Sequence, residues 1–248
     1  SNFWMSSTAI NAYPERDSDA LTRGGPVART PGGGSISQWI GTDQRKPYQG
    51  NLNFTYSRNA RGGWGVNQGV GLTFRPSTAM EVQLGPSYNR THAVAQYVRT
   101  VADPTAERTY GRRYVFSDLD QTTLGMNTRL SWTFTPRLSL QLFAQPFLAS
   151  GDYSRLKELH RPRAWDWDVY GEEVGTVAEV SGGYSVDPDG TGPAAAFTLP
   201  DPDFNVRSLR GNAVLRWEYR PGSTLYLVWQ QQRYGYEPTG EFHFGDNA

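Results

Sequence analysis

Thr122-Thr123-Leu124-Gly125-Met126-Asn127-Thr128-Arg129-Leu130-Ser131-Trp132-Thr133-Phe134 decides the fold class. Its even positions are Thr122, Leu124, Met126, Thr128, Leu130, Trp132 and Phe134; its odd positions carry Thr, Gly, Asn, Arg, Ser and Thr. Only an extended strand separates two such sets onto opposite faces. The same split recurs in Leu209–Tyr219, Trp64–Phe74, Met80–Tyr88, Leu138–Leu148 and, more briefly, Asn51–Ser57. No segment of useful length repeats every 3.6 residues, so the chain reads as all-β.

Three strand pairs are joined by short proline turns: Phe74-Arg75-Pro76-Ser77-Thr78, Phe134-Thr135-Pro136-Arg137 and Tyr219-Arg220-Pro221-Gly222-Ser223-Thr224. Proline supplies the φ near −65° that the second residue of a tight turn requires. An aromatic on the apolar parity precedes each turn. The connections 12–33, 100–108 and 169–204 are long by contrast.

Composition narrows the class. Of 248 residues only 37% are apolar, yet 13% are aromatic and 27 are Gly, with a mean hydropathy of −0.61. Lys plus Arg equal Asp plus Glu at 24 each, which points away from nucleic acid and from a polybasic membrane anchor. The absence of Cys excludes disulfides, thiolate metal sites and Cys nucleophiles. The longest apolar run, Leu225–Trp229, falls far short of the ~20 residues of a membrane helix.

Short turns at one end, long loops at the other and turn-side aromatics match an antiparallel transmembrane β-barrel, in which half of every strand faces a polar lumen. A soluble sandwich would carry Lys and Glu on its wet face. Here that face holds Asn, Gln, Ser, Thr, Gly and Arg, and the chain has only two Lys, Lys46 and Lys157. Placing the proline turns on the periplasmic side gives strands at about 2–12, 34–41, 49–58, 63–75, 79–101, 109–135, 137–168, 205–219 and 223–236. Nine is odd, whereas bacterial single-chain barrels have even numbers. The expectation is a partial barrel: one domain, 1–248, incomplete at both ends, with an open edge at 223–236. The start at Ser1 without Met suits a processed product or a piece.

Specific words then resemble one family. They are Leu21-Thr22-Arg23-Gly24-Gly25-Pro26, Arg113-Tyr114-Val115-Phe116, Leu119-Asp120-Gln121, Ala144-Gln145-Pro146-Phe147, Gly151-Asp152-Tyr153, Lys157-Glu158-Leu159, and the long run from Asp203-Phe204-Asn205 through Leu209-Arg210-Gly211-Asn212 to Leu225. These resemble the C-terminal barrel of Gram-negative outer-membrane proteins that carry a carbohydrate-binding family-9-like domain ahead of a β-barrel of unknown function. The resemblance covers about Leu21 to Arg233. It implies an outer-membrane location and an extramembrane, sugar-related N-terminal domain; it implies no catalytic set.

Candidate sites follow from the residues. His92, His160 and His243 are too scattered for metal-ligand spacing. His160, with Asp166 or Asp168 to orient it, could act as the base of a loop-borne hydrolase, against the blander reading of Trp and Asp residues that merely pack and cap loops. Asp187-Pro188-Asp189-Gly190 resembles the opening of a calcium loop, with Asp201 and Asp203 standing in for the missing downstream Glu; two Asp-rich turns explain it equally. Calcium is the sole cofactor candidate. Arg129, Arg210, Arg216 and Glu218 should line the lumen, because charge on the lipid face costs ~2–4 kcal/mol near the midplane. That lumen is either a polar passage or a plug of paired side chains.

The resulting functional expectation is an outer-membrane barrel that anchors or serves an extracytoplasmic carbohydrate-binding module, with a passage for solutes where the lumen is open. The alternatives are an outer-membrane hydrolase working from its long loops and a scaffold subunit of a larger membrane assembly. Expected partners are outer-membrane lipid, the remaining strands and N-terminal domain of the same protein, and polysaccharide or other membrane proteins, with no nucleic acid.

Overall fold

The computed structural model describes residues 3–242; His243 and the first residue of the expected 2–12 strand lie outside them. In chain order the strands are β1 (Met5–Tyr13), β2 (Arg16–Ser18), β3 (Ala28–Thr30), β4 (Gly33–Gly41), β5 (Tyr48–Asn59), β6 (Trp64–Ser77), β7 (Met80–Ala102), β8 (Arg112–Thr135), β9 (Leu138–Leu159), β10 (Trp167–Val169), β11 (Thr176–Val180), β12 (Gly183–Asp187), β13 (Phe197–Pro200), β14 (Phe204–Arg220) and β15 (Ser223–Glu237). The described residues hold no α-helix, only a 3₁₀ turn at Glu107–Thr109.

The main sheet runs β1-β4-β5-β6-β7-β8-β9-β14-β15, antiparallel throughout, with β10 added to β9. These nine strands are the nine expected from the alternation, in the expected order. The sheet is open: β1 and β15 are its ends and do not pair. The three proline turns join β6 to β7, β8 to β9 and β14 to β15. Gly222 at φ +77° follows Pro221, the backbone that the third position of a type II turn needs, and its N–H donates to Glu218 Oε1 at 3.2 Å.

Register shows why the alternation matters. Residues directly opposite in an antiparallel pair share a face, so rows can be followed across the sheet. One row reads Tyr48–Phe74–Val82–Leu130–Leu142–Ala213–Trp229 and the next Met80–Trp132–Leu140–Leu215–Leu227. Ile10–Ile36–Tyr56–Val66 and Ile40–Leu52–Val70 extend the same apolar face to the far edge. Close to the proline turns it carries the aromatic pairs Tyr48–Phe74, Trp132–Phe134 and Trp217–Tyr219, at ring distances of 5.0, 4.3 and 6.1 Å. Gln38 breaks the pattern on this face, but its amide is satisfied within it, accepting from Thr8 Oγ1 at 2.5 Å and donating to Ser6 Oγ at 2.7 Å.

The opposite face is polar: Gln83–Arg129–Phe143–Asn212–Gln230 in one row, Asn11–Ser35–Ser57–Gly65–Thr91–Gln121 in another. Glycine on this face makes room for crowded neighbours. A Cβ on Gly41 would meet the Trp39 ring at 2.4 Å, and one on Gly69 would meet Asn53 at 2.5 Å, the close approach that a strand glycine allows.

The strands outrun any single layer. At ~3.4 Å per residue the 24-residue β8 is about 80 Å long. Its lower part is covered on neither face, whereas Arg113–Leu119 is buried at every position. There the alternation feeds two small cores. Tyr114 and Phe116 pack with Ala28, Leu159, Leu21 and Trp167, and Val115 packs with Leu156, Tyr170, Val186 and Leu199. The covering material comes from the long connections, which are not plain loops: β2 pairs β3, and β11-β12-β13 form their own sheet.

One expectation is corrected. The strand expected at 137–168 ends at Leu159; the chain reverses through Arg161-Pro162-Arg163 and returns as β10, pairing Trp167 with Leu159. Proline has no N–H to continue a ladder, and Arg163 at φ +55° turns the backbone away from extended geometry. The described residues form an open sheet, not closed into a barrel, with β15 at one edge as the expected open edge at 223–236 requires.

Candidate functional site

The polar chemistry concentrates in the cored upper lobe, where β8 and β9 rise beyond the two-faced sheet. Val115 pairs with Glu158 and Phe116 with Lys157, so adjacent β9 residues point into different cores. On one side Arg113 links two carboxylates: its Nε donates to Asp103 Oδ2 at 2.6 Å and its Nη1 to Glu158 Oε1 at 2.5 Å, while Nη2 reaches Thr105 Oγ1 at 3.2 Å. Asp103 also accepts from the Thr105 N–H and hydroxyl at 2.9 and 2.7 Å. These donors outweigh the opposing effect of burial and hold the Asp103 carboxyl below its ordinary range. Burial wins at Glu158, pushing its carboxyl up against the pull of Arg113. Burial likewise pushes the Tyr170 phenol up. Its hydroxyl sits close enough to feel both charges but makes no hydrogen bond of good geometry.

On the other side Lys157, 2% exposed, ion-pairs with buried Asp118, and its ammonium lies 5.8 Å from the Trp167 ring centre. Asp118 also meets Arg155 at 3.5 Å, which in turn grips Glu172 with two bonds of 3.0 Å. Removing two charges from water costs several kcal/mol per ion before pairing recovers it, so the lobe's geometry is pinned by partners that cannot be exchanged cheaply.

The structure brings two of the three catalytic candidates together. His160 Nδ1 lies 2.8 Å from Asp168 Oδ2, beside a cavity of about 280 Å³ also lined by Thr105, Arg108, Arg113 and Glu158. Arg108 contacts His160 Nε2. A guanidinium only donates, so Nε2 accepts and Nδ1–H donates to Asp168. The imidazole lone pair that a general base would use is therefore occupied by Arg108. Asp166 is not part of this pair; its carboxylate meets Arg161 at 3.0 Å and its carbonyl accepts the His160 N–H. His92 pairs instead with Asp120 at 3.0 Å, far along β7.

The four calcium candidates do not converge. Asp187 Oδ1 accepts the Gly190 N–H at 2.9 Å and Asp189 Oδ2 the Ala194 N–H at 2.9 Å, each closing its own loop. Asp201 Oδ1 caps the Asp203 N–H at 3.0 Å, and Asp203 Oδ1 caps the Tyr153 N–H at 2.7 Å. No group of three or more metal-ligating side chains occurs among the described residues.

Arg129, Arg210, Arg216 and Glu218 share the polar face of the main sheet. Arg129 lies 5.6 Å from the Phe143 ring centre, Arg216 is 4.0 Å from Glu218, and Arg210 stands opposite Gln145 and Gln232. A hollow of about 470 Å³ opens on this face around Arg129, Gln141, Phe143 and Asn212.

Asp103 and Asp118 were not anticipated as site residues, and Arg113, Lys157 and Glu158 only as parts of family words. Their signal was the lapse of alternation in Arg113-Tyr114-Val115-Phe116 and Leu156-Lys157-Glu158-Leu159, where charges adjoin apolar residues on both parities. That is what burial on both faces produces.

The chain belongs to a family described as a domain of unknown function, DUF5916, whose model matches residues 1–248. No curated protein and no solved structure matches it.

Proposed function

We propose that this domain is the membrane-embedded part of a Gram-negative outer-membrane β-barrel, with its upper lobe outside the bilayer. One observation carries the reading: an apolar face, in register from β1 to β15, that no protein layer covers. Trp132, Trp217, Leu227 and Trp229 on it are 39, 48, 57 and 52% exposed. Soluble monomers rarely expose apolar patches beyond a few hundred Å². The height also fits. From Phe134 to Leu124 is ten steps, ~34 Å along the strand, or ~26 Å at a barrel tilt near 40°, against a lipid-facing band of ~25 Å.

An open edge in hydrocarbon would leave unpaired N–H and C=O groups costing several kcal/mol each. β1 and β15 are such edges, exposed along almost their whole length. Nine alternating strands make them parallel to one another, so direct closure would break the antiparallel rule; further strands of the same protein are the proposed partners. Arg129, Arg210, Arg216 and Glu218 then face the lumen. On the family resemblance, the barrel anchors or serves an extracytoplasmic carbohydrate-binding module, with a lumen available to solutes. The test is fractionation with heat-modifiable migration: the full protein should sediment with outer membranes and migrate faster unboiled than boiled. Recovery in the soluble periplasmic fraction would refute the proposal.

A second reading, hydrolysis in the lobe, rests on the His160–Asp168 contact beside the 280 Å³ cavity. It requires Arg108 to leave Nε2. Turnover of ester, peptide or glycoside substrates lost in His160→Ala with unchanged barrel migration would support it; no His160-dependent turnover would remove it.

A further inference from the structure

The chain is charge-neutral overall, but one cleft of the upper lobe is not. Arg29 from β3, Arg61 from the β5–β6 turn, and Arg161 and Arg163 from the reversal before β10 surround a hollow of about 480 Å³. Against these four guanidiniums the lining supplies two carboxylates, Glu15 and Asp166. Glu15 is shared loosely between Arg29 at 3.8 Å and Arg61 at 3.7 Å, Asp17 just outside the lining pairs with Arg29 at 3.2 Å, and Asp166 is held by Arg161 at 3.0 Å, so three carboxylates stand against four guanidiniums. The cleft thus carries net positive charge on side chains that remain 44–64% exposed at Arg29, Arg61 and Arg161.

Its wall is built before any ligand arrives. The Arg163 N–H donates to the Val27 carbonyl at 2.6 Å, the Arg29 N–H to the Ala164 carbonyl at 3.2 Å, and the His160 N–H to the Asp166 carbonyl at 3.0 Å. The first two bonds lash the 160–166 reversal onto the β2–β3 hairpin and the third closes the reversal on itself, with Arg163 in a left-handed conformation that a non-glycine residue adopts only at a cost. Trp165 lines the same hollow and is braced edge-on by Trp167 at 5.1 Å. A fixed cleft loses less entropy on binding than a mobile one.

The geometry points to an acidic saccharide as the occupant of this cleft. Guanidinium forks match carboxylate, sulfate and phosphate oxygens in pairs. A braced indole offers a flat apolar surface for the C–H face of a pyranose ring, and the volume falls in the ~300–1,000 Å³ range of small-molecule sites. The choice of a saccharide over another anion rests on the proposed location of the lobe outside the bilayer, where sugars bearing carboxylate, sulfate or phosphate are met either free or linked to lipid.

The full protein, purified in detergent, is titrated calorimetrically with an oligogalacturonate, a sulfated heparin hexasaccharide, neutral cellohexaose, and the phosphorylated core oligosaccharide released from lipopolysaccharide. At least one acidic probe should bind, weakening tenfold or more between 50 and 500 mM salt as exposed charges are screened, and cellohexaose should not bind. Arg61→Gln with Arg163→Gln should weaken binding tenfold or more, and Trp165→Ala should weaken it without altering the salt slope. Arg161→Gln, at a side chain 64% exposed, serves where the Trp165 variant does not fold. Binding of the core oligosaccharide would identify a lipid-linked source, and binding of the other acidic probes alone a free polymer. No acidic probe bound, or arginine variants that bind as tightly as the parent, overturns the inference. Heat-modifiable migration of the same preparation separates the two readings. A migrating barrel that binds no glycan sinks only the cleft; a soluble protein that binds acidic glycans sinks only the membrane assignment.

Discussion

Leu215 and Val214 are neighbours on β14 whose side chains fall on opposite faces. Leu215 sits between Leu140 and Leu227 on the uncovered apolar face, and Val214 sits between Gln141 and Val228 on the polar one. From Tyr219, at the aromatic rim, to Leu215 is four steps, ~14 Å along the strand and ~10 Å in height at barrel tilt, close to the centre of a ~25 Å band. An arginine there should cost ~2–4 kcal/mol if the face meets lipid, which is roughly 30- to 900-fold in the folding equilibrium. If the face met water, the substitution would fall within about 0.5 kcal/mol of neutral, as exposed changes do. Val214→Arg, beside a hollow already lined by Arg129 and Asn212, should be nearly silent. Urea titration of the full protein in lipid vesicles, read by heat-modifiable migration, gives both numbers. Equal midpoints for Leu215→Arg and Val214→Arg would refute the assignment of faces.

The upper lobe supplies further tests. Asp118→Ala leaves the Lys157 ammonium buried and unpaired and should destabilise the lobe by ~3–5 kcal/mol, whereas Asp118→Leu combined with Lys157→Met should recover most of that loss, measured by amide exchange on β8 and β9. Burial raises the Glu158 carboxyl above its unfolded value, so the folded lobe holds that proton more tightly. Its stability should rise as pH falls through the window between the raised folded value and the ordinary carboxylate value, and Glu158→Gln should flatten that rise in a thermal-melt series. At the β4–β5 turn, hydrogen bonds from Arg45 hold the Asp43 carboxyl down at about 2. The contribution is complete above the unfolded value near 3.9 and lost as pH falls toward about 2. Asp43→Asn should therefore loosen the turn at neutral pH and match the parent below that range, by hydrogen exchange at Arg45 and Lys46.

The sheet was legible because each of its strands keeps one parity apolar and because Pro76, Pro136 and Pro221 mark the short turns. Nine strands and their order follow from those two signals. The lobe was not legible, since Arg113–Leu119 is buried on both faces and so has no period to read. Its ion pairs join residues distant in sequence, such as Asp118 and Lys157, whose meeting depends on the β8–β9 register. The His160–Asp168 contact could be anticipated because a tight reversal returns the chain within eight residues. Asp166, two residues earlier, lies on the other side of that reversal. Asp187 and Asp189 act locally for a reason their neighbours supply: an Asp beside Pro and Gly accepts the N–H groups of its own turn.

These 248 residues contain no Cys, so a thiol introduced here is the only label site once any Cys elsewhere in the full protein has been replaced. Single cysteines placed in turn from Leu124 to Phe134 of the full protein, spin-labelled in lipid vesicles, report oxygen and nickel-chelate accessibility at each step. The account predicts a period of two, with oxygen accessibility highest at 124, 126, 130 and 132 and nickel accessibility highest at 125, 127, 129 and 131. Uniform nickel accessibility along the stretch, or maxima on the opposite parity, would contradict the claim that this face meets lipid.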